Sequence, residues 1–269
     1  MANPAKIAGS FFEGIGRRTV AGLDEMGYAA AIFFEAIYWT ATGWRYRQPV
    51  RVSAAFSAMM QFGVTALPIA TLLSATIGLM LAIQSLYSLG LFGAEHYAYI
   101  GIALSVVREF SPMIMGILVA GRSGSAIAAR LATMSINQEV DALQVMGINP
   151  VRFLVSPVLL ALLVMMPCLA MWANLVSIFS AGLYVSAQLN QSFGAFINDT
   201  IDVLKTDDLW HGLGKATLFG VIIALVGVVN GSMVKGGAEG VGKVTTRSVV
   251  ISITLIVVAD MIFAYMTTQ

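Results

Sequence analysis

The chain has 269 residues, 58% hydrophobic and only 11% charged, with a mean hydropathy of +0.83. Soluble domains carry about 45–50% apolar and about 25% charged residues, so this composition excludes disorder, a disulfide scaffold and almost every soluble enzyme. A net charge of +1 gives no support to nucleic acid or any other polyanion as a partner. The one cysteine, Cys168, excludes an intramolecular disulfide and, inside an apolar run, reads as a small buried hydrophobe.

Glu13, Arg17, Arg18, Asp24 and Glu25 interrupt the first 26 residues, which therefore do not read as a signal peptide. Residues 27–44 carry one charge, Glu35, and hold Tyr28, Tyr38, Trp39 and Trp44. They fit an amphipathic helix in the headgroup layer better than a sixth span, which would put Arg17 and Arg18 on the far side. A spanning helix needs about 20 mostly apolar residues. Spans are expected over about 62–86, 97–121, 155–188, 216–234 and 248–266. The second is interrupted by Arg108, Glu109 and Pro112, the third carries Pro157 and Pro167 as possible kinks, and the fifth contains Asp260. The expected fold is all-α and integral to the membrane. Its parts are a cytoplasmic segment, 1–50, with the interfacial helix, and a permease domain, 51–269.

Cations set the orientation. Lys6, Arg17, Arg18, Arg45, Arg47 and Arg51 precede the first span; Arg122, Arg130 and Arg152 follow the second; Lys235, Lys243 and Arg247 follow the fourth. These are twelve of the fifteen basic residues. The opposite loops hold Glu95, Asp199, Asp202, Asp207 and Asp208, with only Lys205 and Lys215. The positive-inside rule then places the N-terminus in the cytoplasm and the C-terminus outside.

Between the second and third spans, Ile136, Val140 and Leu143 recur at i, i+4, i+7, and Gly147 is a C-terminal stop with Pro150 beyond it. This segment is either a connecting surface helix or a knob that docks a cytoplasmic partner. Arg108, Glu109 and Asp260 each lie 13 or 14 residues from a cytoplasmic cation, which at about 1.5 Å per residue puts all three at one depth. Neighbours at i, i+1 do not face each other on a helix, so Arg108 and Glu109 each need their own partner. Either Arg108 and Asp260 form a pair that locks two helices, or these groups line a cavity that meets a charged part of a substrate. Arginine suits a phosphate because it donates two parallel hydrogen bonds. Pro112, one turn on, can open the hydrogen-bond ladder. Gly237-x4-Gly242-Lys243 is a near miss to a phosphate-cradling loop, but Val244 stands where Ser or Thr would bind magnesium, so it reads as a tight turn with Thr245 or Thr246 near a helix start. His96 and His211 are far apart, His211 beside Trp210 reads as an interfacial anchor, and the 15 methionines read as packing.

The runs Val107-Arg108-Glu109-Phe110-Ser111-Pro112, AGRSGSAIAA at 120–129 and DALQVMGINP at 141–150 closely resemble the signature of the MlaE family of ABC-transporter permeases. The run GVGKVTTRSVV at 240–250 resembles that family's second signature, although Phe110-Ser111 stands where the common form has Leu-Gly. The resemblance covers about 100–270. It implies a homodimer in the bacterial inner membrane that binds two cytoplasmic ATPase subunits and moves phospholipid to or from a periplasmic MCE-domain protein. It implies a transport subunit with no catalytic residues and no cofactor of its own, ATP and Mg belonging to the partner ATPase. Residues 133–147 would form the coupling helix, with Glu139, Asp141, Leu143, Met146 and Gly147 at the ATPase. Arg108 and Glu109 would lie by the lipid cavity, with Arg108 on the headgroup and Asp260 as an intramembrane charge partner. An ABC permease for a sterol or other hydrophobe is the close alternative. An ion-coupled secondary transporter, which often shows inverted repeats, and a structural anchor are the more distant ones.

Overall fold

The computed structural model describes residues 4–43, 45 and 50–268, excepting the side chains of 4–15, 17, 18, 21, 267 and 268. Trp44, Arg47 and the side chains of Lys6, Glu13, Arg17 and Arg18 lie outside the described residues. Among those described there is no strand. The helices are α1 (Pro4–Thr42), α2 (Val52–Phe62), α3 (Leu67–Gly90), α4 (Ala98–Ser105), α5 (Ser111–Val119), α6 (Ser125–Ile136), α7 (Glu139–Val145), α8 (Ser156–Leu189), α9 (Phe193–Val203), α10 (Thr206–Ser232) and α11 (Ala238–Thr268). Five stretches are long and apolar enough to cross a membrane: Val52–Gly90, Glu95–Ile136, Val151–Leu189, Thr206–Ser232 and Ala238–Met266. The chain is an all-α membrane protein.

Small residues hold the bundle together. Ala70, Ser74, Gly78 and Ala82 form the buried stripe of α3, spaced by four, and this stripe meets α8. A Cβ on Gly78 would lie 2.2 Å from the Ser177 carbonyl oxygen, so only glycine permits this approach. Ser177 and Ser180 hydroxyls donate to the Ser74 and Ala75 carbonyls at 2.8 and 3.0 Å. In a bilayer, where lipid tails are as apolar as leucine, close contact and interhelical hydrogen bonds replace the hydrophobic effect as the associating force. Helix α10 sits at the centre, packed on α8, α6, α5 and α11, while α11 is the least buried span.

Three π-helical segments punctuate these spans: Val106–Phe110, Ala120–Gly124 and Val151–Val155. Two of them run directly into Ser-Pro, at 111–112 and 156–157. There the serine N–H donates to the carbonyl five residues back, Ser111 to Val106 and Ser156 to Val151. Proline has no N–H and its ring crowds the preceding turn, so the ladder widens just before it. The Pro112 expectation is met in this form. Pro167, by contrast, lies within a continuous α8.

Several boundaries differ from the sequence reading. The second span runs on through the Arg122 turn to Ile136, well past 121. The fourth begins at Thr206, ten residues before 216. The Ile136–Val140–Leu143 stripe is broken, because the chain turns at Asn137–Gln138 with Gln138 at φ 59°. The glycine-rich turn is confined to 233–237, so Gly242, Lys243, Thr245 and Thr246 lie inside α11 and no phosphate-cradling loop exists there. Cys168 is exposed on the outer side of α8, not buried.

Helix α1 is a single helix of 39 residues that is not among the five spans. It buries Ile32 and Ala36 in the core while exposing Phe34, Ile37 and Tyr38. Glu35 accepts from Asn149 Nδ2 at 2.6 Å, and the Arg152 guanidinium lies 5.4 Å over the Trp39 ring. The one charge of the 27–44 run thus fastens α1 to the start of the third span.

Candidate functional site

The second span brings Arg108 and Glu109 into the π-helical segment, and α10 crosses it there. A Cβ on Gly212 would lie 2.2 Å from the Val107 carbonyl oxygen, so the crossing requires glycine at 212. Asp208, Gly212 and Lys215 stand at i, i+4, i+7, one face of α10. This face presents one acid and one base to either side of the crossing. Arg108 Nε lies 3.0 Å from Asp208 Oδ1, and the Lys215 ammonium donates to Glu109 Oε2. Each of the two neighbouring charges therefore has its own partner, both from α10.

Helix α11 adds the third acid. Asp260 Oδ1 lies 3.0 Å from Lys215 Nζ. The angle is outside hydrogen-bonding geometry, so the contact is one of charge only. Lys215 also lies 5.7 Å over the Phe263 ring, and His211 packs edge-on against the same ring at 5.9 Å. Lys215 is the hub of three helices and its side chain is 1% exposed. Arg108 and Glu109, at 40% and 42%, are the open members of the group; Asp208 and Asp260, at 10% and 15%, are covered.

Of the three charges expected at a common depth, Glu109 and Asp260 meet on one ammonium. The expected Arg108–Asp260 pair does not form: Arg108 belongs to Asp208, and Asp260 belongs to Lys215. The physical reason is the early start of α10, which carries Asp208 and Lys215 into the bundle instead of leaving them in a loop. Asp208, Gly212 and Lys215 were missed because the charge-free window begins at Ala216. Their i, i+4, i+7 spacing next to that window was the available signal.

The Arg108 contact uses Nε, so Asp208 does not consume the Nη edge. A half-exposed guanidinium held in place by a covered carboxylate can meet an anion with two parallel donors. Glu109, fixed by Lys215, gives the same opening an acceptor that repels anions from its own side. The group can thus orient a zwitterion or an anion at one depth of the bundle.

At the other end of the second span, α7 forms a short exposed knob. Leu143 points inward and is buried with Val140 and Ile148 against the core, which anchors the knob. Gly147, at φ 73°, ends it, with Ile148 N–H donating to the Leu143 carbonyl at 2.9 Å. Glu139 and Asp141 are exposed in its first turn. Val145 and Met146 are exposed at its end, at 89% and 64%. Val145 is a further residue that the sequence reading did not single out, because its periodicity places it off the apolar stripe.

The sequence model of the family described as Permease MlaE matches residues 55–266. A probable ABC transporter permease protein of Rickettsia typhi is 32% identical over 246 residues, covering 91% of this chain and 93% of its own length. A probable ABC transporter permease protein of Synechocystis is 31% identical over 214 residues, 78% of this chain and 80% of its own. The chloroplast protein trigalactosyldiacylglycerol 1 of Arabidopsis thaliana is 32% identical over 202 residues, 75% of this chain and 58% of its own.

Proposed function

The chain belongs to the MlaE permease family and is an ABC-transporter permease, and we propose that it moves phospholipid between the bacterial inner membrane and a periplasmic MCE-domain protein. Two copies enclose an apolar cavity, and two cytoplasmic ATPase subunits with ATP and Mg supply the work. The N-terminus is cytoplasmic and the C-terminus periplasmic, with α1 lying in the headgroup layer. The observation that carries the lipid reading is the cluster of five charges where α10 crosses the second span, with Arg108 and Glu109 open and their counter-ions covered. Ionisable groups at mid-membrane depth are costly and face a bundle interior or a cavity. The name of the Arabidopsis relative, which contains a diacylglycerol lipid, supports a glycerolipid cargo.

In this mechanism the acyl chains give little selectivity, because a lipid leaving a bilayer gains almost nothing by entering another apolar space. The headgroup supplies the orientation. Arg108 Nη donors meet its phosphate, and Asp208 holds the guanidinium in place. Glu109 accepts from a headgroup donor, and Lys215 holds Glu109. ATP binding closes the ATPases around α7, where Val145 and Met146 seat in a groove. Leu143 passes the push into the core, and α6, continuous with the second span, carries it to the Arg108 layer.

The test separates contact from support. Arg108→Ala leaves Asp208 without its cation, though its Oδ2 still accepts from Lys205 N–H at 2.9 Å, so the double variant Arg108→Ala/Asp208→Asn, whose amide oxygen can keep that cap, is the informative one. It is expected to fold like the wild type and to lose most lipid transfer and lipid photo-cross-linking. Transfer at the wild-type rate in this double variant refutes the headgroup role.

A further inference from the structure

A second opening lies away from the exposed edge of the charge layer. A cavity of about 1080 Å³ is bounded by α3, α8, α9 and the first turn of α10. Its walls are almost wholly apolar. On α8, Leu175, Phe179 and Leu183 are more than half exposed and open it sideways along one helix face. Helix α9 covers it. Phe193, Ile197 and Thr200 line it at i, i+4, i+7, while Asn198 and Asp202 on the other side of α9 are exposed.

Two polar atoms in this wall have no partner. Thr200 is 2% exposed and its Oγ1 makes no hydrogen bond; Asn174 is 5% exposed and its Oδ1 makes none. An orphaned buried polar group costs about 1–3 kcal/mol; both residues line the cavity while the two atoms are covered, so a side-chain turn lets a ligand atom complete them. At the α9 end, exposed Lys205 stands at the mouth and forms no ion pair among the described residues.

The dimensions select the occupant. From Met171 to Leu183 the cavity follows α8 for about 18 Å, at about 1.5 Å per residue. Half of a hydrocarbon core about 30 Å thick is about 15 Å. The cavity is therefore about as long as one leaflet is thick, with the cation Lys205 in its lining and apolar walls along α8. Drug-sized ligands fill pockets of about 300–1,000 Å³, and this one, at about 1080 Å³, is slightly larger.

We infer that this cavity is a lipid site, filled sideways from the leaflet on the α9 side by one acyl lipid with an anionic headgroup. Lys205 pairs with the headgroup phosphate, the Thr200 hydroxyl donates to an ester carbonyl, and the chains lie along the α8 face. Val107, whose neighbour is Arg108, lines the cavity together with Asn174, so the site shares a wall with the charge cluster but none of its ionised groups. The site does not depend on the cargo proposed above.

The experiment is native mass spectrometry of the full chain, delipidated in detergent and titrated with phosphatidylglycerol or phosphatidylcholine. Leu183→Trp, which fills the cavity from its open side, is expected to remove one phosphatidylglycerol adduct. Lys205→Ala is expected to weaken that adduct about 5-fold, at about 1 kcal/mol per cation near a headgroup, and to weaken a phosphatidylcholine adduct less, because the choline cation offsets the phosphate. Arg108→Ala/Asp208→Asn is expected to keep the adduct. Thr200→Val, which deletes the orphaned hydroxyl, is expected to raise the melting temperature of the lipid-free chain while weakening the adduct. It serves as the test if Leu183→Trp does not fold. Equal adducts in wild type, Leu183→Trp and Thr200→Val overturn the inference. Loss of the adduct in the Arg108/Asp208 double variant overturns it too, by assigning the lipid to the charge layer. In a Cys168→Ser background, cross-linking of Leu183→Cys to a second copy overturns it in favour of a protein contact.

Discussion

Replacing Lys215 with methionine removes the one cation that two carboxylates share. Methionine keeps nearly the length and apolar stem of lysine, so the perturbation is mainly electrical. At an effective dielectric of about 20, unit charges 3.0 Å apart attract by about 5 kcal/mol before desolvation is counted. Breaking a buried pair by deleting one partner costs about 3–5 kcal/mol, because a buried charge is left uncompensated. The two acids do not contribute equally. Glu109 is 42% exposed and water can take over much of its solvation, as for a surface pair worth about 1 kcal/mol or less. Asp260 is 15% exposed, and its Oδ1 accepts no hydrogen bond. Most of the loss therefore sits on Asp260. Asp260→Asn added to Lys215→Met is expected to recover about 2–3 kcal/mol, and Glu109→Gln added to it about 1 kcal/mol or less. Thermal unfolding in detergent reads this directly. Lys215→Met should lower the melting temperature by on the order of 10 °C, at about 2–4 °C per kcal/mol, with the larger rescue from Asp260→Asn. Equal rescue by the two changes, or a melting temperature within 1–2 °C of wild type in the single variant, refutes the hub assignment.

Arg108→Ala is expected to be rescued in stability by Asp208→Asn and not by Asp260→Asn, as thermal unfolding of the three variants checks; the reverse order would restore the pairing that sequence depth alone suggested. Gly212→Ala places a methyl 2.2 Å from the Val107 carbonyl oxygen. Overpacking of this kind costs about 1–3 kcal/mol, and it also parts α10 from the second span, so both lower stability and lower lipid transfer are expected. Val145→Asp puts a charge on a side chain 89% exposed, so folding should be unchanged within about 0.5 kcal/mol. Co-purification of the ATPase, measured by pull-down, should be lost. Removing the surface Glu25–Arg247 pair, in which Arg247 Nη2 donates to both carboxylate oxygens at 2.8 Å, should cost only about 0–1 kcal/mol in the same unfolding assay.

The fold was legible because lipid imposes a coarse rule. Every backbone group in the bilayer core must be satisfied within its own helix, so long apolar runs had to be spans, and their order followed from the cations between them. The helix ends were not legible. Charge marks where lipid stops, but a helix continues past that point whenever packing rewards it. The second span therefore continues to Ile136, where α10 and α11 pack on α6. The site was half legible. Arg108, Glu109 and Asp260 stand out as charges inside apolar runs. Asp208 and Lys215 lie just outside one, and only the close crossing at Gly212 brings them to their partners. The small-residue stripe of α3, Ser74-x3-Gly78-x3-Ala82, was not singled out, because what makes it matter is its partner on α8, which tertiary contact sets. Val145 was invisible as a contact residue because exposure on a short knob depends on which way Leu143 turns.

Transport of this kind requires a permease that holds lipid and is driven by separate ATPases. Native mass spectrometry of the chain, extracted in mild detergent from its own membrane, weighs that assembly directly. Two copies with two ATPase subunits and retained phospholipid is the expected mass. A lone chain with no ATPase after gentle extraction, or a dimer whose bound molecules contain no phospholipid, contradicts it.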